Sequence, residues 1–132
     1  MKIPIEGGCL CGAVRYRLHD APKQLSDCHC IDCRRASAAP YVTWGSCRQD
    51  KIEIVSGELR KVRYANRIRS FAACCSTPLF FQENDESEWI DITIASLDHP
   101  EPFQPEVAIW TEDKLPWVSI DPMRRVFPQG RQ

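Results

Sequence analysis

Cys28-His29-Cys30-Ile31-Asp32-Cys33 places three thiols within six residues, spaced C-x-C and then C-x-x-C. A C-x-x-C knuckle lets two sulfurs face one point from a single tight turn, where Zn–S bonds of about 2.3 Å hold them. The Cys two residues earlier adds a third sulfur from the chain entering that turn. No fourth ligand completes the set within the segment. Structural zinc sites are usually closed by four protein ligands, whereas catalytic ones keep three and leave a position for water or substrate. Cys28, Cys30 and Cys33 therefore predict a metal with an open position.

The surrounding composition narrows the class. At 132 residues the chain fits one domain with a real apolar core, and residues 1–132 are read as a single zinc-binding domain. The formal charge of −1 offers no global basic field for a nucleic acid. No apolar run reaches the roughly 18–20 residues of a membrane span. The start, Met1 to Gly8, lacks a secretory apolar core, so a cytoplasmic protein is expected. Eight cysteines in a reducing compartment favour metal over disulfides. The rival disulfide framework is opposed by spacing, since C-x-C partners and the adjacent Cys74-Cys75 pair are awkward to bridge.

Ahead of the cluster, Gly7-Gly8-Cys9-Leu10-Cys11-Gly12 leads into Val14-Arg15-Tyr16-Arg17-Leu18, whose strict alternation predicts a half-buried strand. Cys9 and Cys11 sit at its glycine-flanked mouth; they read either as a metal-binding pair or as two buried structural thiols. His19 to Asp27 reads as a loop. Arg34 to Ser37 predicts a turn or two of helix, and Pro40–Trp44, Ile52–Val55, Leu59–Tyr64 and Arg67–Phe71 predict strands, the last two joined at Ala65-Asn66. Arg60, Lys61, Arg63, Arg67 and Arg69 make that hairpin basic, either a solvated face or an anion-binding wall. A second thiol-bearing turn, Cys74-Cys75-Ser76-Thr77, opens another strand. Glu83–Glu88 is a surface turn and Trp89–Ala95 an alternating strand. Prolines break the remainder, where Trp110 and Trp117 predict packing onto the sheet. The result is a mainly β fold of short antiparallel strands with little helix.

Three motifs in order, G-G-C-L-C-G-A-V-R-Y, C-H-C-I-D-C-R-R and R-S-F-A-A-C-C-S-T-P-L-F-F, resemble the glutathione-dependent formaldehyde-activating enzymes, the group that includes centromere protein V. The resemblance runs from about Gly7 to Trp117. It implies a β "tent" with an Mss4-like core, a structural zinc on Cys9, Cys11 and a later C-x-x-C pair, and a catalytic zinc on Cys28, Cys30 and Cys33. One departure stands out. Aligning T-P-L puts Cys75 on the second Cys of the family's F-C-x-x-C-G-T-P-L and Ala72 on the first, with Ser76 at the usual glycine. The structural site is then one sulfur short unless Cys74 enters it.

Three thiolates give zinc a formal −1, a poor acidifier of water but a suitable holder for an incoming thiol as thiolate. The resemblance implies glutathione and formaldehyde as the thiol and aldehyde, joined or cleaved as S-hydroxymethylglutathione by a carbon–sulfur lyase-type enzyme. The alternative is a non-catalytic zinc-stabilised interaction module. His29 reads as a hydrogen-bonding neighbour of the thiolates or as a packed side chain, and Arg34 and Arg35 as anion-steering or solvated. Cys47 reads as a small buried hydrophobe.

Overall fold

The computed structural model describes residues 2–131. Two sheets enclose the core. The smaller holds β1 (Ile5–Gly8), β2 (Arg15–Leu18) and β5 (Ile52–Ser56) in the order β1-β2-β5. The larger holds β3 (Lys23–Cys28), β4 (Val42–Arg48), β6 (Leu59–Tyr64), β7 (Arg67–Ala72), β8 (Pro78–Gln82), β9 (Trp89–Thr93), β10 (Val107–Ile109) and β11 (Arg125–Val126). Its order is β11-β10-β3-β4-β9-β8-β7-β6. Among the described residues there is one α-helix, α1 (Ile31–Ser37), and the fold is mainly β as expected.

Alternation builds the core. On β2, Tyr16 and Leu18 point inward and are fully buried, while Arg15 and Arg17 pair outside with Asp98 and Glu6. Tyr16 meets Phe80 edge-on, ring centroids 5.2 Å apart, and its hydroxyl shares a 2.7 Å hydrogen bond with Ser96. Leu79, Ile92 and Ile94 complete this layer. Each such side chain contributes about 1.5–3 kcal/mol on full burial. The β6–β7 hairpin closes at Ala65 and Asn66, both at positive φ, as a two-residue turn of the right twist requires.

Several expectations need correction. His19–Asp27 is not a loop throughout, because Lys23–Cys28 is a strand. Gln, Ser and Asp are poor strand formers, but β3 lies between β4 and β10, and pairing on both sides overrides propensity. Its pairing with β10 is parallel, as is that of β10 with β11, so the sheet is mixed rather than antiparallel. The strand expected to reach Ala95 stops at Thr93, and Ile94–Ser96 forms a 3-10 turn. The helix begins at Ile31, inside the cysteine cluster, three residues earlier than expected. In the tail, Trp110 packs beside the cysteines, whereas Trp117 is 70% exposed and does not pack on the sheet. Among the described residues no helix is long and apolar enough to cross a membrane.

Candidate metal centres

The central cluster forms where β3 runs into α1. Cys28 ends β3, and the His29 amide donates to the Ile109 carbonyl at 3.0 Å, tying the turn to β10. Cys30 is the N-cap of α1, and its sulfur accepts from the Cys33 amide at 3.2 Å. That bond wraps the C-x-x-C turn, and the three sulfurs lie within 4.8 Å of one another. Val42, Trp44, Phe81, Ile109 and Trp110 pack around them. On the remaining side opens a cleft of about 510 Å³. Among the described residues no fourth His, Cys, Asp or Glu joins the group.

Charge is arranged to suit sulfur anions. The Arg69 guanidinium lies 3.8 Å from the Cys33 sulfur and sits over the Phe81 ring at 5.0 Å. Hydrogen bonds from Cys28 and Cys30, helped by Arg69, draw the Cys33 thiol down to about 3. The same sulfur–sulfur bonds, with burial, push Cys28 up. A divalent cation would displace the remaining protons. The donor set, buried thiols beside a cation and facing open space, fits an ion held by three sulfurs.

A second cluster joins the β1–β2 loop to the β7–β8 turn. Sulfur separations are 3.8 Å for Cys9–Cys11, 3.6 Å for Cys9–Cys74, 3.3 Å for Cys11–Cys74 and 3.9 Å for Cys74–Cys75. Four sulfurs around a tetrahedral zinc would stand about 3.8 Å apart, from bonds of about 2.3 Å. The set fits a closed four-sulfur site. Adjacent residues would point apart in a strand, but β7 has ended at Ala72, and Ser76 takes a φ of 65° that winds the turn. Ala72, the position that aligning T-P-L pairs with a Cys, is fully buried in the core as apolar packing, and Cys74 joins the cluster. The Val14 amide donates to Cys9 at 3.2 Å, and a hydrogen bond with Thr77 leads the set that lowers Cys75 to about 5. All eight cysteines are free thiols.

The remaining candidates separate clearly. His29 is buried with its ring against Tyr41, centroids 5.0 Å apart, and burial lowers its pKa. It is outside the sulfur group. Arg34 and Arg35 line a different hollow, with Leu115 and Trp117, and do not face the cleft. Of the basic hairpin, Arg67 and Arg69 line the cleft, joined there by Arg131, while Arg63 turns to Asp85. Cys47 is buried, and its thiol is pushed up to about 12 by that burial. Sequence reasoning missed Ser46 and Asp91 on the cleft floor. Asp91 alternates with Ile90 and Ile92, which marks it as opposite the core but not as cleft-facing.

The sequence profile described as glutathione-dependent formaldehyde-activating enzyme matches residues 4–113, which contain both cysteine clusters. The chain belongs to that family. Within it, the chain is 28% identical over 127 residues to a Halomonas elongata protein named "Putative glutathione-dependent formaldehyde-activating enzyme", covering 89% of this chain and 81% of that one. It is 30% identical over 78 residues to a Schizosaccharomyces pombe protein named as an uncharacterised lyase, covering 58% of this chain and 56% of that one. The fold is similar to the crystal structure of a Rhodobacter sphaeroides protein, with a TM-score of 0.60 at 17% identity over 93% of this chain and 99% of that one.

Proposed function

We propose that this chain is a zinc-dependent carbon–sulfur lyase-type enzyme that joins a thiol to an aldehyde or reverses that addition, with glutathione and formaldehyde as the substrates its family points to. The observation that carries the reading is the trio Cys28, Cys30 and Cys33, grouped within 4.8 Å and facing a cleft of about 510 Å³ rather than a fourth protein ligand. Zinc on three thiolates would supply an open position that favours an incoming sulfur as thiolate. The four-sulfur cluster at Cys9, Cys11, Cys74 and Cys75 would be a structural zinc site, and the free thiols suit a cytoplasmic setting.

The residues around the trio have definable tasks. Trp44, Phe81 and Trp110 line the cleft and give it apolar walls beside the sulfurs. Arg69, beside Cys33, favours negative charge on sulfur there. In the forward direction the thiol loses its proton to solvent, its sulfur bonds to the aldehyde carbon, and the carbonyl oxygen takes up a proton; cleavage runs the same balance backwards. Holding both reactants in one cleft turns a two-body encounter into one within a site.

The test is exchange spectroscopy by NMR on glutathione, formaldehyde and their adduct, with zinc-loaded protein. Faster exchange than in the protein-free mixture is expected, and Cys28→Ser or Cys33→Ser should abolish the acceleration. Exchange at the protein-free rate under zinc-replete, reducing conditions refutes the reading.

A further inference from the structure

A second feature of the cleft has no part in holding sulfur. Asp91 of β9 stands on the floor, where the cleft beside the cysteines meets a second hollow of about 380 Å³ that ends at Lys23 and Trp89. Gln24, Ser46, Phe81, Glu83 and Asp91 line both, so the two form one groove across the sheet. One Asp91 oxygen accepts from the Ser46 hydroxyl at 2.6 Å. Burial pushes the Asp91 carboxyl up from its ordinary value, the Ser46 hydrogen bond opposes that, and the negative charge of Glu83 adds to it. Glu83 has its own partner, Arg67, at 3.1 Å. Asp91 is thus a largely desolvated carboxyl with one oxygen held by Ser46 and, among the described residues, no ion pair of its own, in a groove wide enough for a ligand. Such a group is costly to ionise in the empty protein, and a cation delivered into the groove offsets that cost.

We propose that Asp91, oriented by Ser46, binds the primary ammonium group of an amine-bearing thiol whose sulfur docks at Cys28, Cys30 and Cys33. The inference rests on the thiol reading above. Distance decides between this role and proton transfer. Arg69, whose guanidinium reaches Cys33, is two strands from Asp91 through Phe81, and Ser46 is four residues along β4 from Val42, the register partner of Cys28. Strand spacing then puts the carboxyl on the order of 10 Å from the sulfurs. A general acid must come within about 3 Å of the atom it protonates. Asp91 is too far for that and well placed for the remote end of an extended substrate. Cysteine, with two carbons between nitrogen and sulfur, is too short to bridge the two points; a γ-glutamyl peptide thiol is long enough.

The experiment compares glutathione with N-acetylglutathione, which keeps the thiol and carboxylates but has no ammonium. Binding to the zinc-loaded full chain is read by calorimetry or by the fluorescence of Trp44 and Trp110. Glutathione should bind about tenfold or more tightly, the range of a hydrogen bond to a charged group. In Asp91→Asn, which keeps an acceptor for Ser46, the ratio should fall to near one. Equal binding of the two thiols by the native protein overturns the proposal, and this comparison needs no variant to fold. A preference undiminished in Asp91→Asn also overturns it, as does the failure of any amine-bearing thiol to bind. The two readings fail separately. Discrimination without accelerated adduct exchange leaves Asp91 standing and removes the reaction; accelerated exchange with no discrimination removes Asp91 alone.

Discussion

Replacing Arg124 with methionine should be among the most damaging single changes outside the cysteines. Arg124 and Asp27 form an ion pair at 2.9 Å with side chains only 17% and 7% exposed. The other Asp27 oxygen accepts from Thr43 at 2.5 Å. This pair fastens the residues just before β11 to β3, one residue before that strand ends in Cys28. Removing one partner of a buried pair costs about 3–5 kcal/mol, because the other charge stays desolvated. The retained Thr43 bond and the residual exposure of Arg124 place the expected loss near the lower end, about 3 kcal/mol. At this chain length that lowers Tm by roughly 10 °C. Urea unfolding of the zinc-loaded protein gives the free energy directly. The double variant Arg124→Met with Asp27→Asn should recover part of the loss, since it no longer buries an unpaired charge. A loss below about 1 kcal/mol, with the double variant no more stable than the single, would refute the reasoning.

Three further outcomes follow from the same geometry. Cys74→Ser should reduce bound zinc by one ion per chain in elemental analysis, and adding Ala72→Cys should not restore it, because a side chain there enters the core; recovery of the second ion would show that the turn rearranges. Gly45→Ala puts a Cβ 2.8 Å from Ile94 Cδ1 and Leu25 Cδ2 and 2.9 Å from Pro22 Cβ, so overpacking should cost about 1–3 kcal/mol in thermal or urea unfolding. Asp91→Asn should raise Tm at pH 7. Burial raises the Asp91 pKa above its ordinary 3.8, so the folded protein binds the proton more tightly than the unfolded chain, and stability present below that value is lost as pH rises through the folded pKa; the gain should therefore fade at acid pH, and a constant gain would count against this cause.

Much of this was legible in the residues because the signals were local. The hairpin Leu59–Tyr64 and Arg67–Ala72 follows from β-rich runs around a two-residue turn, and β2 from its alternation. C-x-C and C-x-x-C spacing marked Cys9, Cys11, Cys28, Cys30 and Cys33, and the structure groups the last three and joins Cys74 and Cys75 to the first two. What escaped was set by partners distant in sequence. Strand β3 owes its existence to β4 and to β10, roughly 80 residues away in the chain. The basic hairpin gave no sign of which cations face the cleft, because that depends on register: Arg69 stands opposite Phe81, and Phe81 opposite Asp91. The meeting of Cys74 with Cys9 and Cys11 depended on a backbone turn at Ser76 that composition does not announce.

The four-sulfur cluster has a mechanical consequence. Cys9 and Cys11 leave the small sheet and Cys74 and Cys75 leave the large one, so an ion shared among them would latch the two sheets across a separation of 65 residues. The groove is lined by the large sheet, α1 and the C-terminal segment, and by no residue of the small sheet. A chelator that strips this latch first would let the small sheet work loose while the three-sulfur end of the groove kept its shape, so rigidity and chemistry would be lost at different metal concentrations.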